Sequence, residues 1–140
     1  MKKWFAVIGD PISHSLSPQM HSKWFEVLNI NATYIPIQVP KKQLQQSIQA
    51  LRLLGASGWN VTIPHKSLVI PLLDHMDADS TTVGAVNTVH LKDGQLYGFN
   101  TDVTAIHSLL AEANLDFTGK DVVLFGAGGI AQAIVFELNR

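Results

Sequence analysis

The polar side chains able to do chemistry gather in a few short segments: Ser13, Ser15 and Ser17, then Thr62 and Lys66, then Asn87, then Asp102. Ser13-His14-Ser15-Leu16-Ser17-Pro18 reads as the entry to a helix, because serine suits the N-cap and proline the first helical position. Unpaired backbone N–H groups and the helix dipole favour an anion there, so Ser15 and Ser17 can both donate to a small carboxylate. The plainer alternative is that Ser17 caps the helix and the other serines face water. Thr62 and Lys66 fall in Asn60-Val61-Thr62-Ile63-Pro64-His65-Lys66. That segment ends an expected strand, and open α/β sheets hold ligands at the carboxyl ends of their strands. An amine there can give or accept a proton, or it is an ordinary solvated side chain in the first turn of a helix.

Asn87 opens an otherwise apolar strand within Gly84-Ala85-Val86-Asn87-Thr88 and needs partners if it is buried. Asp102, in Gly98-Phe99-Asn100-Thr101-Asp102, suits a helix start as an acid matched to the dipole. Its carboxylate beside Lys66, holding the ammonium, is the functional alternative. Spacing alone does not choose between them.

Gly126-Ala127-Gly128-Gly129-Ile130-Ala131 satisfies Gly-x-Gly-x-x-Ala, between an apolar stretch at 122–124 that reads as a strand and a helix. That context points to a dinucleotide diphosphate turn; a tight strand–helix connection that binds nothing is the other reading. A dinucleotide fold needs further strands and helices, and a ribose-reading residue about 20 residues after the glycines. The sequence reaches Arg140 first. The expected organisation is therefore a substrate domain over 1–102, a connecting helix and linker over 103–120, and at 121–140 the first strand, glycine turn and helix of an incomplete dinucleotide-binding domain.

The elements that must carry these residues follow from periodicity. Residues 4–8 form an apolar run ended by Gly9-Asp10-Pro11, the mark of a buried strand meeting a loop. Met20, Trp24, Phe25 and Leu28 give the helix after Ser17 an apolar stripe. A strand is expected at 32–39, an amphipathic helix at 41–54 closed by Gly55, a strand at 58–62 and a short helix at 66–75. Strands at 85–91 and 95–99 flank Lys92-Asp93-Gly94, a hairpin signal because Asp-Gly tolerates positive φ. A helix runs from Asn100-Thr101-Asp102 to about residue 114. Strands alternating with helices predict an α/β fold, a mostly parallel sheet flanked by helices, followed by the opening of a truncated Rossmann-like unit. Trp4, Trp24, Trp59 and Phe25 read as core.

Composition narrows the function. The chain has 140 residues, 46% hydrophobic and 15% charged, with a formal net charge of −1. Nothing in that balance steers it to nucleic acid or an anionic membrane. Without cysteine, disulfide and thiolate chemistry are excluded. The apolar run after Lys2 and Lys3 is too short for a signal-peptide core or a membrane span, and a cytoplasmic enzyme or binding module fits best. The six histidines are scattered, without metal-site spacing or a cysteine partner.

Taken together, the segments from Gly9 to Pro18, Asn60 to Lys66, Gly84 to Thr88 and Asn100 to Asp102 resemble the shikimate dehydrogenase family, in order and at suitable spacing. The resemblance implies NADP-linked interconversion of 3-dehydroshikimate and shikimate, once a complete nucleotide domain is supplied. It implies that Ser15 and Ser17 hold the substrate carboxylate, and that Thr62, Asn87 and Asp102 bind ring hydroxyls. Lys66 would be the proton donor and acceptor with Asp102 as its partner, and Gly126, Ala127, Gly128, Gly129 and Ile130 would hold the cofactor diphosphate. Where the family has glycine after Asn-Thr-Asp this chain has Val103, a β-branched residue expected to crowd the cleft or stiffen the connection. Other expectations are an inactive shikimate-binding module, or a remnant that self-associates, as a homodimer or larger, through an exposed strand at 122–124.

Overall fold

The computed structural model describes residues 2–139. Strand β1 (Lys3–Gly9) leads through helix α1 (Ser17–Val27) to β2 (Ala32–Gln38), which lies parallel to β1 from Lys3↔Ala32 to Gly9↔Gln38. A 3-10 turn at Lys41–Gln43 opens α2 (Leu44–Leu53), and β3 (Gly58–Val61) returns parallel to β1 on its other side. Beyond it come β4 (His75–Met76), α3 (Ala78–Val83), β5 (Thr88–Lys92), β6 (Gln95–Phe99), α4 (Thr101–Glu112) and α5 (Gly129–Leu138). The strands form one sheet in the order β2-β1-β3-β5-β6-β4. Pairing is parallel at β1–β2, β1–β3 and β4–β6, and antiparallel at β3–β5 and β5–β6. The fold is thus α/β, with the hairpin making the sheet mixed.

Burial explains the architecture. Ala6, Ile8, Trp59, Val61, Val89 and Leu96 from the central strands pack with Leu44, Ile48 and Leu51 of α2 in the main core. Strands buried on both faces read as continuous apolar runs, which is what residues 4–8 do. The β5–β6 hairpin turns on Asp93 and Gly94, both at positive φ (51° and 76°), the primed geometry that matches strand twist. Asn100 caps α4: its side chain accepts the Asp102 N–H and donates to the Ala85 carbonyl at 2.9 Å.

Several expectations are corrected. Residues 122–124 form no strand; the stretch 121–127 is irregular, and Val123 and Phe125 are 76% and 94% exposed. A strand exists only by pairing, and among the described residues no neighbour offers 122–124 a ladder. The helix expected at 66–75 is instead a turn, a 3-10 segment at Ile70–Leu72 and β4, because Pro71 lacks the N–H that a continuing α-helix would use. Helix α1 starts one residue earlier than the capping argument implies: Leu16 is the cap, and it makes no side-chain cap bond. Of the aromatics taken as core, Trp59 is buried, whereas Trp24 is 50% exposed and Trp4 and Phe25 are half-buried. Val103 does not line the Lys66 cleft; it is buried with Val83, Ala85 and Ala133, where α5 packs on α3 and α4.

Candidate active site

Lys66 follows β3 in a turn anchored by two backbone bonds, His65 N–H to the Thr62 carbonyl at 2.8 Å and Val69 N–H to the His65 carbonyl at 2.9 Å. Its own carbonyl accepts the Val86 N–H at 2.8 Å, which draws the residues before β5 alongside. The next residue, Asn87, bonds through its backbone on both sides: its N–H goes to the Phe99 carbonyl at 3.0 Å and its carbonyl receives the Val61 N–H at 2.8 Å. Asn100 capping then sets Asp102 in the first turn of α4, aimed back at the same place. Backbone pairing across β3, β5 and β6 thereby brings together residues that are distant in the chain.

The result is a closed polar cluster. Lys66 Nζ donates to Asp102 Oδ2 at 2.5 Å, with the two side chains only 16% and 20% exposed. Asp102 Oδ1 accepts from Asn87 Nδ2 at 2.9 Å. Asn87 Nδ2 also reaches the Thr101 hydroxyl at 2.9 Å, and Asn87 Oδ1 accepts the Thr101 N–H at 3.0 Å. An amine and a carboxylate held this way, largely out of water, are the elements of general acid–base chemistry.

A cavity of about 240 Å³ opens beside Lys66, lined also by Ile63, Ala85, Ala127, Gly128 and Gly129. A second, of about 270 Å³, is lined by Asp10, Ile12, Ser15, Ser17, Thr62 and Ile63. Ile63 belongs to both, so the hydroxyl-bearing and amine-bearing pockets adjoin. Ser15 Oγ accepts the Ser17 N–H at 3.3 Å, which leaves the hydroxyl proton free to be donated to a ligand. Gly9 keeps this wall tight: a Cβ there would stand 2.6 Å from the Thr62 methyl. A larger cavity of about 620 Å³ lies between α3 and α5, and no titratable side chain lines it.

The glycine turn meets the site directly. A Cβ on Gly129 would lie 3.0 Å from Lys66 Cδ, so α5 packs closely against the Lys66 stem and a larger residue there would press on it. Gly126 has φ of +119°, the left-handed region, and a Cβ there or on Gly128 would meet nothing within 4 Å. Ala127 lines the Lys66 cavity, but Ile130 lines neither it nor the large one and is 49% exposed. His107 Nδ1 lies 2.9 Å from Glu137 Oε2, tying α4 to α5. No metal-holding cluster of His, Cys, Asp and Glu occurs among the described residues, and no helix there is long and apolar enough to cross a membrane.

Sequence reasoning missed a polar chain behind the cluster. Tyr34 of β2 donates to Asn60 Oδ1 at 2.6 Å, and Asn60 Nδ2 donates to the Thr88 hydroxyl at 3.0 Å. Burial pushes the Tyr34 phenol well above its ordinary range, and a hydrogen bond with the Ser17 side chain pulls it part of the way back. The His21 ring stacks on Tyr34 with centroids 4.1 Å apart, and burial lowers its pKa. The available signal was Asn60 itself, an amide between Trp59 and Val61 in an apolar strand, which must find partners.

Residues 7–89 match the family described as the shikimate dehydrogenase substrate binding domain. A chain from Lysinibacillus sphaericus (strain C3-41) named shikimate dehydrogenase (NADP(+)) is 51% identical over 142 residues, which cover all of this chain and 51% of that one. Shikimate dehydrogenase 1 of Peptoclostridium difficile superposes with a TM-score of 0.92 at 37% identity, over 98% of this chain and 51% of that one. Shikimate 5-dehydrogenase of Thermus thermophilus, solved with NADP(H) and shikimate, superposes at 0.88 with 36% identity, over 98% and 52%. The chain therefore spans about half the length of the relatives it matches. With more than half of its residues inside the matched domain, the chain belongs to the shikimate dehydrogenase family.

Proposed function

We propose that this chain supplies the substrate-holding and proton-transferring half of an NADP-dependent shikimate dehydrogenase, which reduces 3-dehydroshikimate reversibly to shikimate. The observation that carries the proposal is the Lys66–Asp102–Asn87 cluster opening on a cavity that adjoins the one lined by Ser15, Ser17 and Thr62. In this reading the serine hydroxyls hold the substrate carboxylate, and Thr62, Asn87 and Asp102 take the ring hydroxyls. Residues 1–102 form the substrate unit, 103–120 the connection, and 121–140 the opening of a dinucleotide-binding unit. The family name and the balanced composition support a cytoplasmic setting.

Gly126, Ala127, Gly128 and Gly129 fit a diphosphate: Gly126 and Gly128 face open space, and α5 begins there with no side chain capping its first N–H groups. The bound dinucleotide would supply the hydride. Reducing a ketone builds negative charge on its oxygen, and the Lys66 ammonium both stabilises that charge and delivers the proton. Asp102, pinned by Asn87, holds the ammonium in place, so little reorganisation is left for the reacting state.

The test is thermal. Saturating shikimate should raise the melting temperature of the chain by mass action, by an amount that grows with the logarithm of ligand concentration. Replacing both Ser15 and Ser17 with alanine should abolish the rise. An unchanged melting temperature of the wild-type chain at saturating shikimate would end this reading.

A further inference from the structure

Thr88 lies beside the site with no role assigned to it so far. It opens β5, and the register sets it opposite Asn60 on β3 and Phe99 on β6. Its hydroxyl lies 3.0 Å from Asn60 Nδ2 and 2.9 Å from Asn87 Oδ1. The Asn60 amide has only one workable orientation. Its Oδ1 accepts the Tyr34 hydroxyl at 2.6 Å, while its NH2 also donates to the Asn87 backbone carbonyl at 3.2 Å. Turned over, it would set oxygen against that carbonyl oxygen. An Asn60 N–H therefore occupies a lone pair of the Thr88 hydroxyl, whose single proton goes to Asn87 Oδ1.

The same accounting continues at Asn87. The Thr101 N–H takes one lone pair of Oδ1 at 3.0 Å; for the other the Thr88 hydroxyl, at 2.9 Å, lies closer than the Thr101 hydroxyl, at 3.1 Å. The Thr101 hydroxyl is then left to accept from Nδ2 at 2.9 Å, and the second Nδ2 proton goes to Asp102 Oδ1, also at 2.9 Å. Asp102 Oδ2 remains for Lys66.

We infer that Thr88, held in one orientation by Asn60 and Tyr34, is a positioning residue that sets the Asn87 amide and, through it, the Asp102 carboxylate on Lys66. The inference rests on the reading of this cluster as the shikimate site and names what keeps it in register. Thr88 lines neither the Lys66 cavity nor the serine-lined one; it acts by directing hydrogen bonds.

The experiment compares Thr88→Val with Thr88→Ser in the full chain. Valine keeps the branched shape that a strand favours and loses the hydroxyl; serine keeps the hydroxyl and loses the methyl. The first readout needs no ligand: the Asn87 side-chain NH2 signals in a 15N–1H spectrum. The second is the dissociation constant of shikimate. Thr88→Ser should match wild type in both. Thr88→Val should shift the Asn87 signals, speed their exchange with water, and weaken shikimate by about three- to tenfold, the worth of one hydrogen bond. In an Asp102→Asn background the same valine should cost less than about twofold, because the carboxylate it orients has gone. Serine and valine behaving alike, or Asn87 signals unmoved by valine, would overturn the inference. Where the wild-type chain binds shikimate, an affinity left unmoved by Thr88→Val would overturn it too. A wild-type chain that ignores shikimate while valine still frees the Asn87 amide would sink the substrate reading and leave the hydrogen-bond assignment standing.

Discussion

Tyr34 shows how one side chain reports on the site behind which it sits. Its phenol is buried, stacked on His21, and spends its proton on Asn60. The folded chain therefore keeps that proton above pH 10.0, where an exposed tyrosine releases it. Over that range the unfolded state binds fewer protons than the native one, so stability falls as pH rises; below pH 10.0 the contribution is intact. Denaturant midpoints measured from about pH 9 to 11 should fall more steeply in wild type than in Tyr34→Phe, and equal slopes would mean that the phenol is not sequestered. Lys66, Asp102, Asn87, Ser15 and Ser17 were legible as candidates because their types and local motifs are informative. The contact among Lys66, Asp102 and Asn87 was not, since it depends on backbone pairing between Lys66 and Val86 and between Asn87 and Phe99. Tyr34 and Thr88 escaped notice because a tyrosine or threonine in a strand usually needs no special explanation.

Among the elements, the hinge of the arrangement is the β3–β5 pairing, which sets Asn60 opposite Thr88 and Gly58 opposite His90. A Cβ on Gly58 would stand 2.6 Å from the Val89 carbonyl oxygen, a backbone atom that cannot step aside. Gly58→Ala should cost about 1–3 kcal/mol, the usual range for overpacking, and should also weaken shikimate by loosening the register. Urea unfolding checks the first part; a loss below about 0.5 kcal/mol would show that the strands adjust freely. The hairpin was readable from Asp93-Gly94, and the α4 start from Asn100, because both are local signals. The segments that misread are those governed by distant partners or by a single breaker. Residues 122–124 have strand composition but no ladder, and Pro71 divides what the pattern at 66–75 suggests is one helix.

For the whole molecule, a six-stranded sheet places two adjoining cavities along one edge of its strand ends, with the glycine turn closing against Lys66. α5 is seated on this body by Ala133, buried with Val83, Ala85 and Val103, and by the His107–Glu137 pair. The fold class was legible from the alternation of strands and helices; the cavities were not, because one forms where the loops after β1 and β3 converge and the other where the β3 loop meets the glycine turn. The most direct measurement is a titration of shikimate into the 15N-labelled chain, following the backbone amides. Binding at the site described here should move the signals of Ser15, Ser17, Thr62, Asn87 and Asp102 together along one saturating curve. Shifts confined to the aromatic cavity around Trp24 and Tyr34, or no shifts at millimolar shikimate, would contradict it.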